Sequence, residues 1–181
     1  MTHGRLIAVV GPSGVGKDSV IDGLCRVRPA LHRVRRVITR AADAGGEDFD
    51  ARSQDDFEEM VAQGLFCLDW AAHGLRYGIG SDVLTRLAQG EDCIVNLSRA
   101  VLAEAAHLAP DFVVLALTAS PKVLQERLAG RARETEAEIA ARLARDAACV
   151  PADLNVMSVS NDGPLDDTVM RVLAGIYPAR G

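Results

Sequence analysis

The run Gly11-Pro12-Ser13-Gly14-Val15-Gly16-Lys17-Asp18-Ser19 is the part of the chain best suited to chemistry. Its glycines let backbone N–H groups turn inward around phosphate oxygens, and Lys17 has the reach to meet the β- and γ-phosphates of a bound triphosphate, ATP in the usual case. The residue after such a lysine ordinarily offers Mg2+ a hydroxyl, and here it is Asp18. Two like unit charges about 4 Å apart at an effective dielectric near 20 repel by about 4 kcal/mol, so a bare carboxylate beside phosphates is unfavourable and a bound Mg2+ reverses the sign. Ser19 does not replace the missing hydroxyl, because one helical step turns its direction by about 100°. Two readings of Asp18 therefore stand: a metal ligand, direct or through water, or a carboxylate turned outward in the favourable first turn of a helix.

Arginine is the second signal. One cluster holds Arg33, Arg35, Arg36 and Arg40, and another holds Arg127, Arg131, Arg133, Arg142 and Arg145. The planar guanidinium fork binds phosphate oxygens in pairs and stays charged at any ordinary pH. The chain as a whole carries a net charge of −5, which argues against broad nucleic-acid binding, since that needs a basic face. Arg33 and Arg35 are expected to face solvent, and Arg127, Arg133 and Arg145 to be solvated helix-face or lid charges. Arg142 has Glu138 four residues earlier, the spacing of a helical ion pair, as its plain alternative role.

Alternating strand and helix patterns must hold these residues in place. Leu6 to Val10 reads as a buried parallel strand, Ser19 to Arg28 as a helix, and Val34 to Thr39 as a second strand. Ser53-Gln54-Asp55-Asp56 has the form of a capping box whose helix stops at Gly64, and Gly74 allows a hairpin turn between Leu65–Ala72 and Arg76-Tyr77-Gly78. Ser81 can cap a short helix, Cys93 to Leu97 supplies a strand, and Arg99 to about Leu108 a helix. Phe112 to Leu117 is the clearest buried strand. Ser120-Pro121 starts a helix that stops at Gly130, and Thr135 to Glu138 opens another. A last strand near Val156 to Val159 and a helix from Pro164 to about Ile176 follow.

The pattern implies an α/β fold in which right-handed crossovers place helices on both faces of a parallel sheet, with ligands at the strands' C-terminal edge. That edge gathers Gly11 to Ser19, Thr39-Arg40, Asn96 to Arg99, Thr118 and Asn161-Asp162. A hydrophobic content of 49% over 181 residues suits one compact domain spanning 1–181. The four cysteines lie far apart without metal spacing, and no apolar run has membrane-spanning length, so reduced thiols and a cytoplasmic setting, with no membrane partner, are expected. Trp70 and the phenylalanines are expected in the core, and His32, His73 and His107 show no ligand spacing.

With these residues in place, the chain resembles the guanylate kinase family of nucleoside-monophosphate kinases over nearly its whole length. The resemblance is carried by the loop Gly11 to Lys17, Thr39-Arg40 with Gly46-Glu47, Asp69-Trp70-Ala71, Tyr77-Gly78, Arg127-Leu128 with Gly130-Arg131, Glu134-Thr135-Glu136, Arg142-Leu143 and Asn161-Asp162. It implies a P-loop NTPase fold with a five-stranded parallel core sheet of order 2-3-1-4-5, an acceptor-binding flap around 34–80 and an arginine-bearing lid around 130–142. The positions that read guanine are altered. Arg36 stands where the family has a base-facing serine, Asp43 replaces a second acceptor-phosphate arginine, Ile79 replaces a serine, and Asn96 and Ser98 replace two aspartates, so that Asp69 alone remains of the base-facing acids. Losing such polar groups forfeits guanine selectivity.

The departures resemble a branch of that family acting on ribose 1,5-bisphosphate, seen in Gly16-Lys17-Asp18-Ser19, Ile38-Thr39-Arg40, Gly74-Leu75, Val95-Asn96, Ser98-Arg99-Ala100 and Asn161-Asp162-Gly163. This resemblance implies transfer of the ATP γ-phosphoryl group to that sugar bisphosphate, with Mg2+, giving 5-phosphoribosyl 1-diphosphate in phosphonate catabolism. The phosphate-loop motif and the family resemblance carry the roles of Lys17, Arg131 and Arg142 in catalysis and of the loop residues and Asn161 in ATP binding; Arg40 and Tyr77 have family support for acceptor binding, and Arg99 rests on its place just past a parallel strand and on the closer resemblance, with Arg36, Arg76, Asn96 and Ser98 nearby. A nucleoside-monophosphate kinase of relaxed base choice and a non-catalytic binding module of the same fold are the competing expectations.

Overall fold

The computed structural model describes residues 3–41, 47–129 and 150–178. The central sheet is nucleated by β1 (Leu6–Val10), five apolar residues buried on both faces. It is flanked in parallel by β7 (Cys93–Asn96) and β8 (Phe112–Thr118), with Ala8 opposite both Val95 and Val114. Two further strands, β2 (His32–Arg33) beside β7 and β9 (Val156–Ser160) beside β8, complete the sheet in the order β2-β7-β1-β8-β9. The expected order 2-3-1-4-5 describes this sheet only when its own strands are counted among themselves. Four intervening strands belong to a second sheet and change the numbering along the whole chain.

Alternation along β1 divides the core. Leu6, Ala8 and Val10 join one cluster with Val95, Val114, Trp70 and Leu102, while Ile7 and Val9 join another with Ile21, Leu24, Leu115 and Val169. The second cluster packs beneath α1 (Lys17–Val27) and α6 (Leu165–Ile176). The first receives α3 (Asp82–Ala88) and α4 (Leu102–Ala105), so helices cover both faces as the pattern requires. Between β8 and β9 the chain forms α5 (Pro121–Ala129), started by Ser120, whose Oγ accepts from Val123 N at 3.4 Å.

The second sheet, ordered β4-β3-β6-β5, comprises β3 (Val37–Ile38), β4 (Asp50–Ala51), β5 (Phe66–Ala72) and β6 (Leu75–Gly80). It occupies the expected flap region and carries α2 (Gln54–Ala62), whose N-cap Ser53 accepts from Asp56 N at 3.1 Å as the capping box foretold. Three local expectations are corrected. The single strand over Val34–Thr39 is split: β2 ends at Arg33, Val34 still bonds the first sheet through its N–H to Ile94 O, and the chain enters β3 at Val37 after Arg35 and Arg36 make the passage between sheets. Ser81 does not cap, since its backbone is already helical and its Oγ donates to Gly64 O. The helix after β7 opens as a 3-10 turn over Arg99–Val101 before the short α4.

No helix among the described residues is long and apolar enough to cross a membrane. Cys25, Cys67 and Cys93 are free thiols. The expected helix from Thr135 and the lid around 130–142 lie outside the described residues.

Candidate active site

A cleft of about 660 Å³ opens between the C-terminal edge of the parallel sheet and the second sheet. One wall is the loop between β1 and α1, where Gly11, Ser13, Gly14, Gly16, Lys17, Asp18 and Ser19 line the cavity. Two glycines are demanded by close approach. Gly14 has φ +83° with Leu128 about 3.0 Å from any added Cβ, and Gly16 has φ +94° with Asn161 Nδ2 at 2.8 Å. Lys17 Nζ donates to Gly11 O at 2.8 Å and Pro12 O at 3.3 Å, so its ammonium is held across the mouth of the loop. Val15, by contrast, is fully buried behind the loop and does not line the cleft.

The opposite wall is built by both sheets. Arg36, Arg40, Tyr77, Asn96, Ser98 and Arg99 all line it, together with Trp70 and His73. Trp70 and Tyr77, cross-strand partners in β5 and β6, stack with ring centroids 5.2 Å apart and form a rigid wall. Burial lifts the Tyr77 phenol above its usual range, against the pull of Arg36 and Arg40, so it remains a neutral hydroxyl donor near pH 7. Arg36 donates through Nη2 to both Glu47 oxygens at 2.6 Å, and Arg40 lies 3.8 Å from the same carboxylate. Glu47, which the sequence offers only as part of a family motif, thus holds two guanidinium groups ready in the cleft.

Asp18 faces the cleft beside Lys17. Burial and the neighbouring Glu47 carboxylate raise its carboxyl above the usual range, outweighing Arg36, Arg33 and Lys17. Arg33 sits 3.6 Å from Asp18 Oδ1 and also pairs with Asp22, which corrects the expectation that Arg33 faces solvent. Arg35 is paired with Asp48 and Asp50 on the more exposed side. Asp18 Oδ1 is buried without a hydrogen-bond partner.

Besides Val15, Pro12 is absent from the cleft lining, and three further residues are placed elsewhere. Arg76 donates to Asp69 Oδ1 at 2.7 Å and lies over the Phe57 ring, away from the cleft, because adjacent strand residues point to opposite faces and its neighbour Tyr77 takes the cleft side. Asp69 is drawn out by the same pair, so the one remaining base-facing acid does not line the cavity. Asn161, 4% exposed, lies behind the loop, where its Nδ2 donates to Val15 O at 2.8 Å. Arg131 and Arg142 lie outside the described residues.

Two placements depart from the sequence reading. Arg127 is not a solvated helix-face charge: it reaches from α5 to Val15 O and Asn161 O. His73 lines the cleft at the hairpin turn with φ +53°, and a turn position next to Gly74 was the signal available for it.

With this geometry in view, comparison with known proteins is decisive. A family model described as guanylate kinase matches residues 3–173. The ribose 1,5-bisphosphate phosphokinase of Ruegeria sp. (strain TM1040) is 48% identical over 178 residues, covering 98% of this chain and 94% of that protein. The enzyme of the same name from Pseudomonas fluorescens (strain SBW25) is 46% identical over 181 residues, covering 94% of this chain and 93% of its own. The crystal structure of guanylate kinase from Anaplasma phagocytophilum superposes with a TM-score of 0.71 at 15% identity over 97% of this chain and 86% of that one, a likeness of fold. A phosphate loop braced at the head of β1, a second sheet that closes a guanidinium-lined cleft over it, and these matches agree that the chain belongs to the guanylate kinase family.

Proposed function

We propose that the chain transfers the γ-phosphoryl group of ATP to ribose 1,5-bisphosphate, releasing ADP and 5-phosphoribosyl 1-diphosphate. The observation that carries this reading is the make-up of the acceptor cleft: Arg36, Arg40 and Arg99 line it, while Asp69 is turned away into an ion pair with Arg76. Such a wall grips a polyanion and offers little to a purine edge. The relatives at 48% and 46% identity carry the name of this activity.

In the reaction an oxygen of the acceptor's 1-phosphate attacks the γ-phosphorus in line, the bond from that phosphorus to the β-bridging oxygen breaks, and ADP leaves with the electron pair. The attacking oxygen is already ionised, so no side chain has to remove a proton. The chain's task is alignment and charge neutralisation. Lys17 and the loop amides hold the donor phosphates. Arg40, Tyr77, Asn96, Ser98 and Arg99 orient the acceptor, and Arg131 and Arg142 are assigned to close over the transferring group.

Asp18 fits a role beside Mg2+, since its Oδ1 is a buried oxygen without a hydrogen-bond partner next to the phosphate-binding lysine. Bound there with the triphosphate, the ion would neutralise charge on the phosphate oxygens. The reading carries a cytoplasmic setting, where ATP and sugar phosphates are held.

Phosphorus NMR of reactions containing ATP and ribose 1,5-bisphosphate, GMP or AMP tests the proposal. A new diphosphate signal coupled to ADP formation is expected with the sugar bisphosphate alone. Faster turnover of GMP would overturn it.

A further inference from the structure

Tyr77 gives the cleft a flat aromatic wall, and both faces of its ring are taken. Trp70, its cross-strand partner in β5, stacks on it with centroids 5.2 Å and planes 9° apart, and is itself packed into the core. The Arg36 guanidinium lies over the same ring, 5.2 Å from its centroid. In the second sheet β6 runs between β5 and β3, so Trp70 and Arg36 reach Tyr77 from opposite sides.

Register puts Arg36 there. Ile38 stands opposite Tyr77, and Arg36, two residues earlier, falls on the same face of the sheet as a diagonal neighbour of Tyr77, a separation that a long side chain spans. Its backbone is tied to the edge of the sheet, where Arg36 O accepts from Asp50 N at 2.9 Å. Its guanidinium is tied to Glu47, Nη2 donating to both carboxylate oxygens at 2.6 Å, with the two side chains only 12% and 11% exposed. A ring seeking to stack on Tyr77 would have to displace a guanidinium held by two charge-assisted bonds and strand a buried carboxylate. Stacking on an open aromatic face is the contact through which a site holds a nucleobase whatever its identity. This wall has no open face to offer, and presents a cation in its place.

We propose that Arg36 is a specificity-determining residue of the cleft: by covering the remaining face of Tyr77 it denies a nucleobase its stacking surface and keeps nucleoside monophosphates from competing for the acceptor's place. The inference rests on the reading of this cleft as the acceptor site. Exclusion by coverage depends on the bulk over the ring, whereas exclusion by charge depends on the guanidinium alone. Arg36→Met keeps the bulk without the charge, and Arg36→Ala removes both.

The test compares the wild-type protein with Arg36→Ala and Arg36→Met, each combined with Glu47→Gln so that no carboxylate is left stranded. GMP and ribose 5-phosphate, a sugar phosphate without the base, are titrated calorimetrically with β,γ-imido-ATP and Mg2+ in excess to fill the phosphate loop. The Kd of ribose 5-phosphate divided by that of GMP isolates the base. This ratio is expected within threefold of unity in the wild type and in the Met variant, and about tenfold higher in the Ala variant. A nuclear Overhauser cross-peak between base H8 and the Tyr77 ring, one of two tyrosines in the chain, is expected in the Ala variant alone. An unmoved ratio in the Ala variant, or an equal rise in the Met variant, overturns the inference. So does a ratio of ten, or that cross-peak, in the wild type, a result that decides the matter even if neither variant melts cooperatively. A wild-type ratio near one without turnover of ribose 1,5-bisphosphate defeats the proposed acceptor and leaves this inference standing. Turnover of the sugar bisphosphate with a wild-type ratio of ten does the reverse.

Discussion

Replacing Asp18 by Asn separates the electrostatic cost of this residue from its use. In the metal-free protein Asp18 gains from Arg33 at 3.6 Å, with the two side chains 31% and 22% exposed. Half-open ion pairs of this kind contribute at most about 1 kcal/mol. Against that stands a buried carboxylate oxygen with no hydrogen-bond partner, at a cost of about 1–3 kcal/mol. The raised carboxyl, driven first by burial and then by Glu47, says that the unfavourable side wins. Because the folded pKa lies above the unfolded one, the relative stability Asp18 confers is complete below the unfolded value of about 3.9 and is lost as pH rises through the folded value. Asp18→Asn should therefore stabilise the metal-free protein at pH 7 by about 1 kcal/mol, seen as a melting temperature about 2–4 °C higher, and the gain should vanish toward pH 3. The same variant should lower turnover about 100-fold and weaken its dependence on Mg2+ concentration, since activity and stability pull against each other at such a site. Melting at several pH values and a Mg2+ titration of initial rates suffice. A variant that melts lower than wild type at pH 7, with unchanged Mg2+ dependence, would refute the reasoning and make Asp18 a plain partner of Arg33.

Two further outcomes follow from the geometry. Asp69→Asn, made on the face turned away from the cleft, should leave acceptor KM within twofold in steady-state assays, while Arg99→Gln, inside the cleft, should raise it at least tenfold. The Cys67 and Cys93 thiols, pushed up to about 11 by burial, should be alkylated by iodoacetamide at pH 8 far more slowly than a free cysteine, as mass spectrometry would read, and should become reactive on unfolding.

The strands of the core sheet and the phosphate loop were legible because their signals are local. An unbroken apolar run such as Leu6–Val10, a capping box at Ser53 and glycine before lysine each act within a few residues. The break in the strand after Val34 was not legible from apolar pattern alone, because the same residues serve two sheets and the division is set by which neighbour, Ile94 or Gly78, each can reach. Arg76 is a different case. Its direction follows from strand parity once Tyr77 is placed in the cleft, so assigning both to one pocket contradicted a rule available from the sequence. Arg127 could not have been placed that way. Its partner Val15 is 112 positions distant, and the Arg127-Leu128 family motif alone set it apart from a surface charge without saying what it reaches.

The distribution of charge explains why an acidic protein can serve polyanions. The chain carries −5 overall, yet Lys17, Arg36, Arg40 and Arg99 line the cleft against Asp18, with Glu47 paired to two of the arginines from behind. The cations thus outnumber the carboxylates in the cleft lining, although the chain as a whole is acidic. A cleft walled by low-dielectric sheet focuses that local field on an anionic ligand. The pairing with Glu47 adds a second effect. Arg36, 12% exposed in its side chain, would pay heavily for lying buried and unpaired, and Glu47 removes that cost before any ligand arrives. On the proposed reading, an arriving phosphate meets guanidinium groups already oriented, and its binding energy is directed to alignment rather than to ordering the side chains that receive it.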